Sequence, residues 1–371
     1  MKLEALELIR FRMPLVTPFR TSYGTDTDRE VLIVRALTST GEGWGECVAE
    51  SSPSYSSEFL DAADMAIRRF MAPALFRETD LSAARVSPAL SQIRDYRMAK
   101  AALEAAVLDA ELRSVGMPLS DYLGGIRSHV PVGVSVGIQD SPAALLDLVG
   151  TYVRSGYERI KLKIEPGWDL IPVRAVRERY GPDLQLQVDA NTAYRRQDIS
   201  HLVRLDQFEL LLIEQPFPPD DLLAHAELAR RSSTPVCLDE SIESAADAFT
   251  AISMGACSVV NIKAGRVGGY LEARRIHDVC AAAGVPVWCG GMLETGVGRA
   301  ANVALAALPN FLLPGDISAT SRYFASDITE AFELVGSTLA VPKGPGIGVE
   351  VRQDALTDLK ATRSTLRPDI A

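Results

Sequence analysis

The sequence has few histidines, and none of them falls in a zinc-site pattern. His129, His201, His225 and His277 include no pair four residues apart, whereas zinc sites set His and Cys at short fixed spacings. Each is expected as a surface or helix residue. The cysteines are an odd set of five, Cys47, Cys237, Cys257, Cys280 and Cys289, with no C-x-x-C pair. Free thiols in a reducing cytoplasm are expected, most of them as small buried apolar groups. No apolar run reaches the roughly 18 residues that span a bilayer. The opening "MKLEALELIRFRMPL" is interrupted by charges and lacks a signal-peptide core. An excess of basic charge is also missing. With 38 Lys and Arg against 48 Asp and Glu, the net charge is −10, which excludes nucleic acid and a membrane surface as partners.

What is present is ordinary globular composition, 47% hydrophobic and 23% charged over 371 residues, enough for a large core and about two domains. Short β-branched runs recur about every 25 residues from 131 onward: "PVGVSVGI", "RIKLKI", "LQLQVDA", "LLLIEQP", "PVCLDE", "SVVNIKA", "VPVWCGG" and "FLLPGD". Segments of helical period such as "GYLEARRIHDVCAAAG" lie between them. This alternation predicts βαβ units and a parallel sheet, and eight strands suit a closed (β/α)8 barrel. A doubly wound sheet is the alternative, although no G-x-G-x-x-G follows the first strand of the series. Residues 1–125 lack the beat. "VLIVRALTSTGEGWGECV" reads as a hairpin, and "MAKAALEAAVLDAELRSVG" as a helix stopped by Gly116 and Pro118. The expected division is an α+β unit over 1–125, a barrel over 126–320, and a segment 321–371 that packs back on the first unit.

The stretch "RIKLKIEPGWD" (159–169) aims Lys161 and Lys163 to one side of a strand and Ile160, Leu162 and Ile164 to the other. Two buried like charges are costly unless something nearby requires them. Lys163, Asp189, Glu214, Asp239 and Lys263 follow at spacings of 26, 25, 25 and 24, one phase of five successive strands. In a barrel such residues ring one pocket at the C-terminal strand ends. A lone Asp there is often only a helix N-cap, but five residues in phase are not explained by capping. Three converging carboxylates suit a hard divalent cation, Mg²⁺ above all. A nearby cation and partial burial push a lysine down, and lowering one from about 10.4 to near 7 requires about 4 to 5 kcal/mol. Lys161 adds to that push, so Lys163 is expected to act as a base. Such a site supports removal of a proton next to a carboxylate, with a metal stabilising the enediolate. Lys163 and Lys263 on nearly opposite sides of the ring could address both faces of one carbon.

These residues resemble a known family. "KLK" (161–163), "VDAN" (188–191), "IEQP" (213–216), "LDES" (238–241) and "NIKAGRVGG" (261–269) are similar to the enolase superfamily, muconate-lactonizing subgroup. "MPLVTPFRTSYGT" (13–25) and "PVWCGGMLETGVGRAANVALAALPN" look closest to its o-succinylbenzoate synthase / N-succinylamino acid racemase branch. The resemblance implies a capping domain, from the N-terminal region and the C-terminal tail, over a modified (β/α)8 barrel. It implies that Asp189, Glu214 and Asp239 hold Mg²⁺ or Mn²⁺ and that Lys163 and Lys263 are the acid/base pair. Lys161 and Asn191 would assist at the carboxylate and metal, and Glu240 would support them. Phe19, Arg20, Tyr23, Ser135, Gly291 and Met292 would bind substrate. "TPFRTSYG" (17–24) and "ECVAESSPSYSS" (46–57) would be mobile loops that close the pocket and exclude water. The partner implied is a small carboxylate, met by a cytoplasmic homo-oligomer. The synthase reaction would place the protein in menaquinone biosynthesis.

Rivals within the superfamily share the ring. A dipeptide epimerase carries Asp-x-Asp on the eighth strand, where this chain reads "PGDISATS", with Ser318 two residues after Asp316. A muconate-type cycloisomerase shares all five ring residues. Outside it, "AGRVGGY" (264–270) suggests a phosphate-binding barrel, but its spacing matches no phosphate motif. A barrel without catalysis would have lost a ring residue, and none is lost.

Overall fold

The computed structural model describes residues 1–368. The chain opens with three antiparallel strands, β1 (Leu3–Arg20), β2 (Thr25–Thr38) and β3 (Gly41–Cys47). One face of this sheet is covered by the alanine-rich helix Arg97–Ser114. Glycine usually weakens a strand, but here it admits the helix backbone. A Cβ on Gly43 would stand 2.2 Å from the Ala106 carbonyl oxygen, and one on Gly45 2.1 Å from that of Ala102. The helix ends as the sequence predicts, with Gly116 at φ +69° and Pro118 beyond.

The first expected barrel strand divides at Gly133 into β4 (His129–Pro131) and β5 (Val134–Val136). No side chain fits at the break, because a Cβ would lie 2.3 Å from Arg159 Nε. The series continues as β6 (Arg159–Lys163), β7 (Gln185–Asp189), β8 (Ile213–Glu214), β9 (Val236–Leu238), β10 (Val259–Ile262) and β11 (Val287–Cys289). Strands β5 to β11 form one parallel sheet of seven in sequence order. A doubly wound sheet would reverse its order at a switch point, so that alternative falls.

The expected eighth strand, 311–316, is not a regular strand. Pro314 has no N–H for a ladder, and the segment is held residue by residue. Leu312 N donates to Val287 O (3.0 Å) and Asp316 N to Cys289 O (2.8 Å) on one side. On the other, Gly315 N donates to Pro131 O (3.1 Å) and Gly133 N to Gly315 O (2.8 Å). These bonds close the curled sheet into a modified (β/α)8 barrel. Beyond it, β12 (Thr338–Ala340) pairs with β4, and β13 (Thr362–Leu366) adds to the free edge of β1. Buried Asp109 ties the pieces together, accepting from Trp44 N (2.9 Å) and Ile347 N (2.7 Å). All five cysteines are buried and free. Among the described residues no helix is long and apolar enough to cross a membrane.

Candidate active site

The alternation of β6 decides what enters the barrel. Ile160 and Leu162 face the helices in the apolar core, which leaves Lys161 and Lys163 inside, 3% and 8% exposed. Charges this deep persist only when paired, and carboxylates from the neighbouring strands pair them. Lys161 Nζ lies 2.6 Å from Asp316, 2.9 Å from Glu214 and 3.1 Å from Asp189, with the Trp288 ring 4.8 Å away. Lys163 Nζ donates to Asp189 and to Asn191 Oδ1, both at 2.6 Å. Lys263, the residue after β10, lies 2.8 Å from Asp239 and donates to Tyr55 OH at 3.1 Å.

The chain turn after β7 is shaped for this work. Asn191 and Thr192 take φ +40° and +65°, a left-handed geometry that is unfavourable outside glycine and tolerated best by Asn. Asn191 N donates to Asp189 Oδ1 (2.9 Å), and its Nδ2 donates to Glu240 Oε1 (2.9 Å). A single residue thus links Lys163, Asp189 and Glu240.

All three lysines line one cavity of about 740 Å³, counting its open mouth. Asp189, Glu214 and Asp239 lie beneath them, at most 1% exposed. Of the expected substrate contacts, Phe19, Tyr23, Ser135, Gly291 and Met292 line this cavity. Ser135 Oγ is buried there without a partner. Arg20 does not line it; its guanidinium is drawn outward to Glu165 (3.3 Å) and Asp140 (3.7 Å). Residues 17–24 are the tip of the β1–β2 hairpin, seated on the β7 turn. Ser22 Oγ donates to Asn191 O (3.1 Å), and Tyr23 OH lies 3.3 Å from Thr192 Oγ1.

The sequence reasoning missed several members of the cluster. Arg159 is fully buried and bonds Asp316 at 2.6 Å. Arg266 pairs with Asp239 and reaches Tyr55 OH at 3.3 Å. Tyr55, from the segment 46–57, packs edge-on against Tyr23 with ring centroids 6.0 Å apart. Arg159 had a usable signal, since it shares the inward face of β6 with Lys161 and Lys163.

The neighbouring anions decide the charge of two of the lysines. Burial acts to lower both Lys161 and Lys263, but the surrounding anions outweigh it and hold both well above the ordinary lysine value. Asp316, Glu214 and Asp189 do this for Lys161, and Asp239 with Tyr55 for Lys263. Burial pushes Asp189 up, yet Lys163 and Lys161 bring it down to about 2. Glu214 goes the other way, pushed well up by burial and by Asp189 beside it.

The donor set suits a hard divalent ion. Asp189 and Glu214 are register partners on adjacent strands, with Asp239 following β9. Asp239 Oδ2 is buried and meets only the Lys263 ammonium, at 2.8 Å, and three hard carboxylates side by side are the ligands such an ion takes. Among the described residues no three His, Cys, Asp or Glu groups stand close enough to enclose an ion as placed; lysine ammonium groups reach between the carboxylates instead.

An α+β unit over a modified barrel, with lysines and carboxylates at the strand ends, defines a two-domain barrel enzyme class. Residues 5–124 match the mandelate racemase / muconate lactonizing enzyme N-terminal domain, and 144–355 the enolase C-terminal domain-like family. The chain is 60% identical to N-succinylamino acid racemase of Amycolatopsis sp over 98% of its own length and 99% of the relative's. It is 48% identical to o-succinylbenzoate synthase of Geobacillus stearothermophilus, covering 94% and 93%. A solved enolase-superfamily member from Listeria innocua superimposes with a TM-score of 0.94 at 41% identity, covering 99% of both chains. The chain belongs to the mandelate racemase / muconate lactonizing enzyme family of the enolase superfamily, and it is an enzyme.

Proposed function

We propose that the chain removes a proton from the carbon next to a substrate carboxylate, as an o-succinylbenzoate synthase, an N-succinylamino acid racemase, or both. The observation that carries this reading is that Lys163 and Lys263 enter one cavity from β6 and from the end of β10, each paired to a different carboxylate. Family membership and the two relatives just described support the choice of reaction.

Asp189, Glu214 and Asp239 would hold Mg²⁺ or Mn²⁺. Bound there, the ion would neutralise charge that builds on the substrate carboxylate. Lys163, as the free amine, takes the α-proton; the C–H pair becomes the C–C π bond of an enediolate, and an N–H bond forms on Lys163. In the racemase reaction Lys263 returns a proton to the opposite face, and the two lysines exchange roles in the reverse direction. In the synthase reaction Lys263 remains a cation beside the enediolate. The β-hydroxyl then leaves as water with the proton that Lys163 gained. Lys161 assists at the substrate carboxylate, Asn191 orients Lys163 and Asp189, and Glu240 holds Asn191.

Phe19, Tyr23, Ser135, Gly291 and Met292 form the substrate pocket, with Arg20 outside it bracing the hairpin. A capping domain of 1–125, rejoined by 321–371, covers a catalytic barrel of 126–320. The net charge of −10 and the free buried thiols support a cytoplasmic enzyme of small carboxylates that binds neither nucleic acid nor membranes. We place it in a homo-oligomer. Ser318 supports the synthase/racemase branch over a dipeptide epimerase, because its hydroxyl donates to Gly133 O (2.9 Å) where an epimerase would present a second carboxylate. The test is a direct assay with Mg²⁺: polarimetry on single enantiomers of N-succinyl amino acids, and absorbance for o-succinylbenzoate. Activity in either, lost with chelator, supports the reading; activity in neither refutes it.

A further inference from the structure

Between β11 and the helix Gly296–Ala306 runs the segment "GGMLET" (290–295), and Gly291, Met292 and Leu293 form one wall of the cavity. Leu293 has φ +60°, a conformation that a bulky side chain adopts only when its surroundings impose it. The imposing contacts are polar and buried. Glu294 turns back to accept from Met292 N (2.8 Å) and holds Asn302 Nδ2 (2.9 Å). The other anchor comes from the opposite end of the sequence, Glu46 on β3. It accepts from Thr295 N (3.0 Å), Thr295 Oγ1 (2.7 Å) and Gly298 N (3.0 Å). Thr295 Oγ1 in turn accepts from Val297 N (3.3 Å). Glu46 therefore completes the N-cap of the helix that follows the wall.

The glycines of "GGMLETGVG" fit these contacts. A Cβ on Gly298 would stand 2.9 Å from Glu46 Oε2, and one on Gly291 2.5 Å from Asp316 O. Both Glu46 and Thr295 are buried, at 7% and 0% exposure.

We infer that Glu46 is a positioning residue: through Thr295 it fixes the Gly291–Leu293 wall, so that docking of the N-terminal sheet on the barrel sets the shape of the substrate pocket. Glu46 touches no substrate. Its effect falls on the part of the substrate packed against that wall, so it is felt in KM more than in kcat. The substrate half of this inference rests on the function proposed above, whereas the mechanical half does not.

The test uses the full-length enzyme at pH 8, above the value of about 7 to which burial pushes Glu46. Glu46→Gln keeps the volume but turns an NH2 donor toward the N–H of Thr295 or of Gly298, whichever way the amide lies. Thr295→Val removes only the hydroxyl and serves if the first variant does not fold, and Thr295→Ser restores it. Hydrogen exchange across 290–298 is expected to quicken about tenfold or more in Glu46→Gln and in Thr295→Val, and to return to the wild-type rate in Thr295→Ser. KM for an N-succinyl amino acid is expected to rise about tenfold in the first two, with kcat within about threefold. Unchanged exchange across 290–298 overturns the positioning role whatever the activity. Faster exchange with unchanged KM overturns the claim that the pocket feels it. A wild-type enzyme inactive on N-succinyl amino acids refutes the proposed racemase reaction and leaves the exchange result to decide the mechanical half.

Discussion

Asp316, in the cavity lining, is shared by two buried cations. Its carboxylate lies 2.6 Å from both Arg159 and Lys161, and these three side chains are 7%, 0% and 3% exposed. Burial acts against its ionisation, but the two cations hold it well below the usual carboxylate range. Asp316→Asn keeps the shape and removes the charge, leaving two buried cations without their shared anion. Breaking a buried pair in this way costs about 3 to 5 kcal/mol. Equilibrium urea unfolding with chelator present measures it. In Arg159→Met/Asp316→Leu neither member of that pair is left alone, and Lys161 keeps Glu214 and Asp189, so the double variant should cost at least about 2 kcal/mol less than the sum of the single changes. An Asp316→Asn protein within about 1 kcal/mol of wild type, or strictly additive costs, would refute the reasoning.

Three further outcomes follow from the same contacts. Burial first of all raises Glu46 and Glu104 to about 7 and Asp109 to about 6. The folded chain then binds protons that the unfolded chain has lost, and stability should rise as pH falls from 8 toward 5.5, by about 1 to 3 kcal/mol per group; a flat or opposite slope in thermal melts across that window contradicts it. Gly45→Ala drives a methyl into the backbone of the helix Arg97–Ser114 and should cost about 3 kcal/mol or more, whereas unaltered melting would show that the sheet and helix separate freely. Chelation should abolish turnover, and Mg²⁺ or Mn²⁺ should restore it, because Asp189, Glu214 and Asp239 set three carboxylates at adjacent strand ends; turnover that survives exhaustive chelation removes the metal from the account.

The barrel and the five-residue ring could be read from the sequence because both follow from periods, about 25 residues per βα unit and two per strand turn. What escaped depends on contacts between distant segments. Tyr55 meets Lys263 across 208 positions, and Glu46 meets Thr295 across 249. No spacing encodes either. The eighth strand reads as an apolar run like the others, but its irregularity does not show in that pattern: Pro314 allows closure only by single bridges. Arg20 alternates with Phe19 and Thr21, which line the cavity, so its side chain leaves on the other side toward Glu165 and Asp140. Asp316 beside Lys161 lies 155 positions away along the chain and in no ring position, so its hold on that lysine shows only in the fold.

The most direct measurement is exchange of the α-proton in D₂O, followed by NMR, for each enantiomer of an N-succinyl amino acid with Mg²⁺. If Lys163 and Lys263 serve opposite faces, Lys163→Ala should lose exchange from one enantiomer and Lys263→Ala from the other, and chelator should abolish both. Exchange at wild-type rate from both enantiomers in either variant would contradict the account.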